Sequence, residues 1–201
     1  MTRTLIACGL LAAVWAAMLL LGTGTLDLDL LRLLYSGGHP FFSRAAWIVT
    51  QFGGSEVLMP VTAVGALLLI VRRDLRGAAL LLGITLSGRI LIDLEKAWTA
   101  RPRPDEYLHL VTIRSDSFPS GHAGNATLVW LALALLIPRG RLRTPLLWAA
   151  ALLAVAVGFS RPMLGVHWPS DVVAGWAFGL LWIMLLLQLS GWRPTPDPTP
   201  S

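Results

Sequence analysis

The stretch VVAGWAFGLLWIMLLLQL, residues 172–189, contains no charged side chain. A helix needs about 20 mainly apolar residues to cross the hydrocarbon core of a bilayer, and this stretch nearly fills that length. The pattern predicts an all-helical fold with several membrane-spanning helices. Together with this stretch, five further apolar blocks predict a bundle of six transmembrane helices, at about residues 5–21, 57–71, 77–98, 122–137, 146–159 and 172–189.

The overall composition agrees with a membrane protein. Of 201 residues, 55% are apolar and 13% are charged, and the mean hydropathy is +0.68. A soluble domain usually carries about a quarter charged residues, so we interpret residues 1–192 as one integral membrane domain. The single cysteine, Cys8, excludes a disulfide-stapled scaffold. The Pro- and Thr-rich tail, residues 193–201, is predicted to be disordered.

Some blocks are shorter than a bilayer requires. Each of the last four has a polar sequence at one end, and we expect those ends to lie in a water-filled pocket rather than in lipid. The first block follows Arg3 and has two readings, a signal peptide or a retained helix. No small-x-small cleavage site follows it, which favours the retained helix. Residues 41–52 are predicted to form a short interfacial helix.

The basic residues suggest an orientation. Because the net charge of +5 is dispersed among loops, binding to nucleic acid is not expected. Basic residues accumulate on the cytoplasmic side of a membrane. One side carries Arg3, Arg193 and two loop triplets: Arg72, Arg73 and Arg76, then Arg139, Arg141 and Arg143. The other side carries a similar number: Arg32, Arg44, Lys96, Arg101, Arg103, Arg114 and Arg161. A bias towards the first side emerges once the basic residues that chemistry explains are set aside. We therefore predict a plasma (inner) membrane protein whose polar clusters face away from the cytoplasm.

Three polar clusters occur at helix ends. The first, from Lys96 to Pro104, leaves the third predicted helix, and the second, from Phe118 to His122, enters the fourth. The third, from Ser160 to Asp171, joins the fifth to the sixth. The exit of one helix and the entry of the next share a face, and two crossings later the chain returns to it. The three clusters are therefore predicted to meet at one side of the membrane.

The residue types in these clusters favour a phosphate ligand. They include permanent cations, two imidazoles, one carboxylate and a Ser-Gly turn at a helix start, where backbone N–H groups and the helix dipole favour an anion. Arginine matches the oxygens of a phosphoryl group and lysine adds a compact charge. Zinc held by the histidines and the aspartate is disfavoured by the neighbouring cations. A serine hydrolase based on Ser120 is disfavoured because no Gly-x-Ser-x-Gly elbow is present.

The clusters resemble three signatures of the type 2 phosphatidic acid phosphatase (PAP2) superfamily, which includes vanadium haloperoxidases. The matching residues are Lys96-x6-Arg103-Pro104, Pro119-Ser120-Gly121-His122 and Ser160-Arg161-x5-His167-x3-Asp171. An additional Arg101-Pro102 pair precedes Arg103, and spacing selects Arg103 as the motif arginine. The resemblance covers most of the chain and implies a membrane-bound lipid phosphatase.

The resemblance also implies roles. His167 is expected to attack phosphorus, Asp171 to orient it, and His122 to protonate the leaving oxygen and then activate water. The expected phosphate-binding residues are Lys96, Arg103, Ser120, Gly121 and Arg161. Ser160 is a weaker candidate whose hydroxyl either joins the site or supports the helix end.

The implied reaction is hydrolysis of a lipid phosphate or diphosphate through a phosphohistidine, with no metal and no cofactor. The substrates considered are undecaprenyl diphosphate, which the compact chain favours, phosphatidic acid, phosphatidylglycerophosphate and related lipids. Alternatives are a lipid phosphotransferase and a phospholipid transporter or scramblase. Arg89 and Asp93, four residues apart on a helix, are expected to pair. Several polar residues stay unassigned: His39, Glu56, His109, Arg114 and Asp116.

Overall fold

The computed structural model describes residues 2–138 and 140–193 and is all-helical over them. Eight α-helices occur in these residues, together with two short 3-10 turns at Glu106–Leu108 and Gly140–Leu142. The helices are α1 (Thr2–Leu21), α2 (Thr25–Leu34), α3 (Pro40–Gln51), α4 (Ser55–Val71), α5 (Leu75–Thr99), α6 (Gly121–Leu136), α7 (Arg143–Met163) and α8 (Pro169–Ser190). Arg139 and residues 194–201 of the predicted tail lie outside the described residues.

Each of the six predicted apolar blocks is a helix, namely α1, α4, α5, α6, α7 and α8. Five stretches in the described residues are long and apolar enough to cross a membrane, one of them running from Pro40 to Val71 across α3 and α4. With 16 residues, α6 is shorter. It extends about 24 Å, against roughly 30 Å of bilayer hydrocarbon. The five longer stretches make the bundle that of an integral membrane protein.

Two additional helices lie between α1 and α4. The predicted interfacial helix at residues 41–52 is found as α3. The sequence did not predict α2, because Asp27, Asp29 and Arg32 interrupt its apolar residues. Only one side of α2 faces the protein, and there Asp27 and Leu31 are buried.

Close contact between α6 and α8 fixes the geometry of the site. This contact requires glycine at position 175, since a Cβ there would lie 2.7 Å from the Ser120 carbonyl oxygen and 3.0 Å from the Gly124 nitrogen. Only glycine permits this approach of two backbones. As a result, Ser120 N donates a hydrogen bond of 2.9 Å to the Asp171 carbonyl oxygen, which joins the start of α6 to the start of α8.

The prediction that Arg89 pairs with Asp93 was wrong. Arg89 Nη1 instead donates to Ser55 Oγ at the start of α4, over 2.9 Å. Asp93 is exposed, and it makes no ion pair with Arg89 in the described part of the chain. The serine hydroxyl of a neighbouring helix lies closer to Arg89 than the carboxylate one turn along its own helix.

Candidate active site

The three polar clusters lie together at one end of the bundle. Lys96 is in the last turn of α5, His122 begins α6, Arg161 ends α7, and Asp171 is in the first turn of α8. Hydrogen bonds join the clusters directly. Lys96 Nζ donates to the Pro119 carbonyl oxygen over 2.7 Å, and Arg103 Nη1 donates to the Val166 carbonyl oxygen.

A buried His167–Asp171 pair lies at the centre of this cluster. His167 Nδ1 is 3.3 Å from Asp171 Oδ2, and both side chains are almost fully buried. The same oxygen accepts hydrogen bonds from Ser117 Oγ over 2.5 Å and from Trp168 N over 3.0 Å. Because Nδ1 faces the carboxylate, Nε2 is the ring nitrogen directed away from it.

The surroundings of His167 keep its imidazole neutral. Burial lowers the pKa of His167 well below its ordinary value of 6.5, and the neighbouring cations Arg103 and Lys96 lower it further. A neutral imidazole with one nitrogen held by a carboxylate carries a lone pair on the other nitrogen. The surroundings of His167 therefore favour the neutral ring with its lone pair on Nε2.

Two of the cations are held by backbone carbonyl groups. Lys96 Nζ donates to the carbonyl oxygens of Asp116 and Pro119 over 2.7 Å and to that of Ser117 over 3.3 Å. Arg103 Nε donates to the Ser115 carbonyl oxygen over 2.6 Å. Burial lowers the pKa of Arg103 to about 10, so it stays charged at neutral pH. These bonds fasten the loop before α6 and keep two positive charges beside His167.

Arg161 and Ser120 differ from Lys96 and Arg103, because they carry buried polar atoms that lack a hydrogen-bond partner among the described residues. Arg161 is 1% exposed, and its Nη1 donates to Thr50 Oγ1 over 2.6 Å. Its Nε and Nη2 atoms, and Ser120 Oγ, have no partner in this part of the chain. Buried donors are nearly always satisfied in proteins, so three such atoms in one site indicate a polar ligand. A guanidinium beside a hydroxyl and a helix start suits a phosphoryl group.

His122 is half-buried beside the turn between α3 and α4. A Cβ on Gly54 would lie 3.9 Å from His122 Nε2 and 2.9 Å from Glu56 Oε2. A Cβ on Gly53 would lie 3.1 Å from the His122 carbonyl oxygen. The two glycines thus let this turn pack against His122, and the previously unassigned Glu56 lies at the edge of the same site.

Residues 76–194 match the sequence profile of the PAP2 superfamily, a match that covers more than half of the chain. The chain belongs to this superfamily. It is 33% identical over 154 residues to phosphatidylglycerophosphatase B of Bacillus subtilis (strain 168), a match covering 74% of this chain and 75% of the relative. It is 32% identical over 153 residues to an undecaprenyl-diphosphatase of Sulfolobus acidocaldarius, covering 73% and 69%.

A solved PAP2 structure has the same fold. The crystal structure of a transmembrane PAP2-type phosphatidylglycerolphosphate phosphatase from Bacillus subtilis superposes with a TM-score of 0.82 at 27% identity. The alignment covers 95% of this chain and 97% of that chain. The resemblance found in the sequence motifs is therefore confirmed at the level of the family.

The additional arginine that precedes Arg103 contacts Asp171. Arg101 Nη1 donates to Asp171 Oδ1 over 3.0 Å, and its guanidinium lies 4.3 Å from the centre of the Phe118 ring. Its Nη2 donates to the carbonyl oxygens of Met18 and Leu19 at the end of α1. Both arginines thus lie in the polar cluster, Arg103 near His167 and Arg101 in contact with Asp171.

Sequence reasoning missed three more residues of this PAP2 site: Ser117, which donates to Asp171, Thr50, which accepts from Arg161, and Asp27, which binds Ser170. Hydroxyl groups in apolar helices and loops carry no distinctive pattern, so no signal pointed to Thr50 or Ser117. Ser160 Oγ donates to the Val157 carbonyl oxygen over 2.6 Å, so its hydroxyl supports the end of α7. His109 Nε2 lies 3.0 Å from the Pro104 carbonyl oxygen, a contact within the loop between α5 and α6.

Proposed function

We propose that this protein is a metal-independent membrane phosphatase that hydrolyses a lipid phosphate or diphosphate through a phosphohistidine on His167. One observation carries the proposal. The neutral His167, whose Nδ1 faces a carboxylate, lies in the same cluster as Arg161 Nε and Nη2 and Ser120 Oγ, buried atoms that have no hydrogen-bond partner in the described residues. A nucleophile next to unsatisfied phosphate ligands is the arrangement that phosphoryl transfer needs.

The first step forms a nitrogen–phosphorus bond. The lone pair of His167 Nε2 attacks phosphorus while the bond between phosphorus and the leaving oxygen breaks, and His122 gives its proton to that oxygen. Asp171 accepts the hydrogen bond of Nδ1–H and stabilises the positive charge that develops on the ring. In the second step His122 takes a proton from water, the water oxygen attacks phosphorus, and inorganic phosphate leaves as His167 regains its lone pair.

The cations stabilise the transferring group. Arg161 and Ser120 have free hydrogen-bonding atoms for its oxygens, and the Gly121 amide lies at the start of α6. Lys96 and Arg103 supply two further positive charges. They also donate hydrogen bonds to carbonyl oxygens of the loop before α6 and so stabilise that loop. Positive side chains thus perform the charge neutralisation for which other phosphatases use a divalent metal.

A lipid substrate suits the position of the site. The cluster lies at the ends of apolar helices, where a headgroup at the membrane surface meets α6 and its tail stays in hydrocarbon. Further along these helices, a groove of about 920 Å³ opens between α4, α6 and α7. It is lined mainly by apolar side chains such as Val64, Leu133 and Leu153, which suits a hydrocarbon chain. The relatives' names cover both monoester and diphosphate lipids, and among the substrates considered phosphatidylglycerophosphate and undecaprenyl diphosphate are the two we propose to test first.

We further propose that residues 1–192 act as one membrane domain and that the site faces away from the cytoplasm. Arg72, Arg73 and Arg76 follow α4, and Arg141 lies in the turn before α7, at the ends of these helices opposite the site. Their positive charges favour the cytoplasmic side. The membrane in question is the plasma membrane.

The test measures phosphate release from a panel of lipid phosphates by purified protein in detergent, with His167→Ala as the inactive control. Release of inorganic phosphate by the wild type alone supports hydrolysis. A transporter or scramblase would release none, and a phosphotransferase would require an added lipid acceptor. No release from any substrate of the panel would refute the proposed function.

A further inference from the structure

A carboxylate on α2, ahead of the region that matches the PAP2 profile, is connected to the catalytic pair. Asp27 is 6% exposed, although it belongs to a helix whose other charged residues are exposed. Its Oδ1 accepts from Ser170 N over 2.9 Å, and its Oδ2 accepts from Ser170 Oγ over 2.5 Å. Oδ2 also accepts from Thr23 N over 2.9 Å. A buried carboxylate is stable here because three donors satisfy it.

The Ser170 hydroxyl connects Asp27 to Arg101. The hydroxyl hydrogen of Ser170 is directed to Asp27, so its oxygen lone pairs remain for Arg101 Nη1, which lies 3.2 Å away. The same Nη1 lies 3.0 Å from Asp171 Oδ1. Arg101 is thus held between Asp171, which it contacts directly, and Asp27, which it reaches through one hydroxyl.

We propose that Asp27 is a positioning residue for catalysis: it fixes Ser170 and Arg101, and Arg101 fixes Asp171 against His167. This inference rests on the proposed function. Asp27 touches neither His167 nor any group assigned to phosphate. Its effect travels through two hydrogen bonds and one ion pair, all between residues that are at least nine-tenths buried. Buried contacts of this kind resist displacement and transmit position.

A purely structural role would have a different signature. Asp27 also accepts from a backbone N–H in the first turn of α8, where a negative charge stabilises the helix start. Stabilising α8 requires only this bond. Positioning of Arg101 requires in addition that the Ser170 hydroxyl donate to Asp27. Replacing Asp27 with Asn leaves an acceptor for Ser170 N at the start of α8 but places an NH₂ group against the Ser170 hydroxyl and Thr23 N, so the link to Arg101 is lost while the bond to α8 is kept.

The experiment compares Asp27→Asn with Asp29→Asn in purified protein. Asp29 lies on the same helix, its side chain is 70% exposed, and its contact is with Arg32, outside the site. We expect Asp27→Asn to lower kcat about 10- to 100-fold with KM changed less than threefold, because misplacing a catalytic group by about 1 Å has an effect of this size. Asp29→Asn should retain wild-type kcat. Thermal unfolding of both variants is measured alongside.

A double-variant cycle tests the route. Ser170→Ala removes the hydroxyl and leaves the backbone bond to Asp27 in place. If the effect passes through this hydroxyl, Asp27→Asn combined with Ser170→Ala should lose no more activity than the more severe single variant. Two independent losses that multiply would overturn the route.

The outcomes separate this inference from the proposed function. If the wild type releases no phosphate, the proposed function fails and Asp27 has no reaction to serve. If the wild type is active and Asp27→Asn matches Asp29→Asn, only the positioning role is refuted. An Asp27→Asn protein that fails to fold leaves Ser170→Ala as the deciding variant, and full kcat in Ser170→Ala would then refute the role.

Discussion

Arg161 Nη1 donates to Thr50 Oγ1 over 2.6 Å, so α3 holds the guanidinium at the centre of the candidate site. Thr50 is buried in the last turn of α3, outside the region that matches the family profile. Arg161 Nε and Nη2 have no hydrogen-bond partner within residues 2–138 and 140–193. Thr50 therefore fixes how Arg161 presents its remaining donors.

Replacing Thr50 with Val should weaken phosphate binding. The two side chains have similar shape, but Val leaves Arg161 Nη1 unpaired, and a hydrogen bond to a charged group contributes about 1.5 to 3 kcal/mol. We expect the inhibition constants of vanadate and inorganic phosphate to rise about 10- to 100-fold. Thr50→Ser keeps the hydroxyl and is the matched control. Equal inhibition constants in Thr50→Val and the wild type would show that Thr50 does not contribute to phosphate binding.

Asp171→Asn should reduce turnover far more than substrate binding. The carboxylate orients His167 and stabilises its cationic form, and in triad enzymes the corresponding change lowers kcat about 10⁴-fold. Arg101 and Ser117 would also lose their charged acceptor. We expect kcat to fall by about 10³ or more, with KM within a few fold. Asp105→Asn, in the exposed loop after Arg103, is the control. Unchanged turnover in Asp171→Asn would remove the carboxylate from the mechanism.

Hydropathy predicted six of the eight helices in the described residues because each of the six contains a long, mainly apolar block. It missed α2, where charged residues alternate with leucines and whose one buried carboxylate is satisfied by the start of α8. That contact joins residues far apart in the chain, so no local pattern reveals it. The alternation of Leu and Asp at residues 26–30 has the two-residue period of a strand, so the hydropathy pattern gives no helix there.

Motif spacing predicted which polar residues would meet, since the connectivity of the helices dictates it. The spacing did not predict which contacts each of these residues makes. Spacing selected Arg103 and set Arg101 aside, yet Arg101 is the arginine that contacts Asp171. Thr50 and Ser117 are ordinary hydroxyl residues in sequence, and only packing against Arg161 and Asp171 distinguishes them. Such contacts depend on side-chain packing, which sequence spacing does not encode.

The protein should lose stability in mild acid because of His167. Its pKa is lowered in the folded state, so the unfolded chain binds a proton near pH 6.5 that the folded protein does not. The contribution of His167 to the free energy of unfolding is fully present above that pH, and it decreases as the pH drops below it. We expect His167→Gln to flatten the fall in thermal unfolding temperature between pH 7 and pH 5. His39→Gln, on an exposed loop, is the control. A fall as steep in His167→Gln as in the wild type would contradict the assignment.

The orientation can be tested with two cysteines. Glu106 is exposed at the end of the bundle that carries the site, and Arg141 is exposed at the other end. With Cys8 replaced by Ala, an impermeant thiol reagent should label Glu106→Cys in sealed cells and label Arg141→Cys only after the cells are opened. The reverse pattern would show that the site faces the cytoplasm.

Catalysis should proceed without a metal and through a phosphorylated His167. The charge around a transferring phosphoryl group must be neutralised, and Lys96, Arg103 and Arg161 supply that charge here. The described residues contain no group of three or more His, Cys, Asp or Glu side chains that could hold a metal ion, and Asp171 is engaged by Arg101. Excess EDTA should therefore leave phosphate release unchanged.

The phosphoenzyme itself provides the decisive measurement. Brief incubation with ³²P-labelled lipid phosphate followed by rapid denaturation at alkaline pH should trap an acid-labile label on the wild type, because a phosphorus–nitrogen bond on imidazole is hydrolysed by acid. His167→Ala should carry no label. His122→Ala should form its label more slowly, since the leaving oxygen is no longer protonated, and should lose it more slowly than the wild type, since the histidine that activates water is missing. His109→Ala, in the loop beside Pro104, should behave as the wild type. A label that persists in His167→Ala, or activity that EDTA abolishes and added Mg²⁺ or Zn²⁺ restores, would rule out this mechanism.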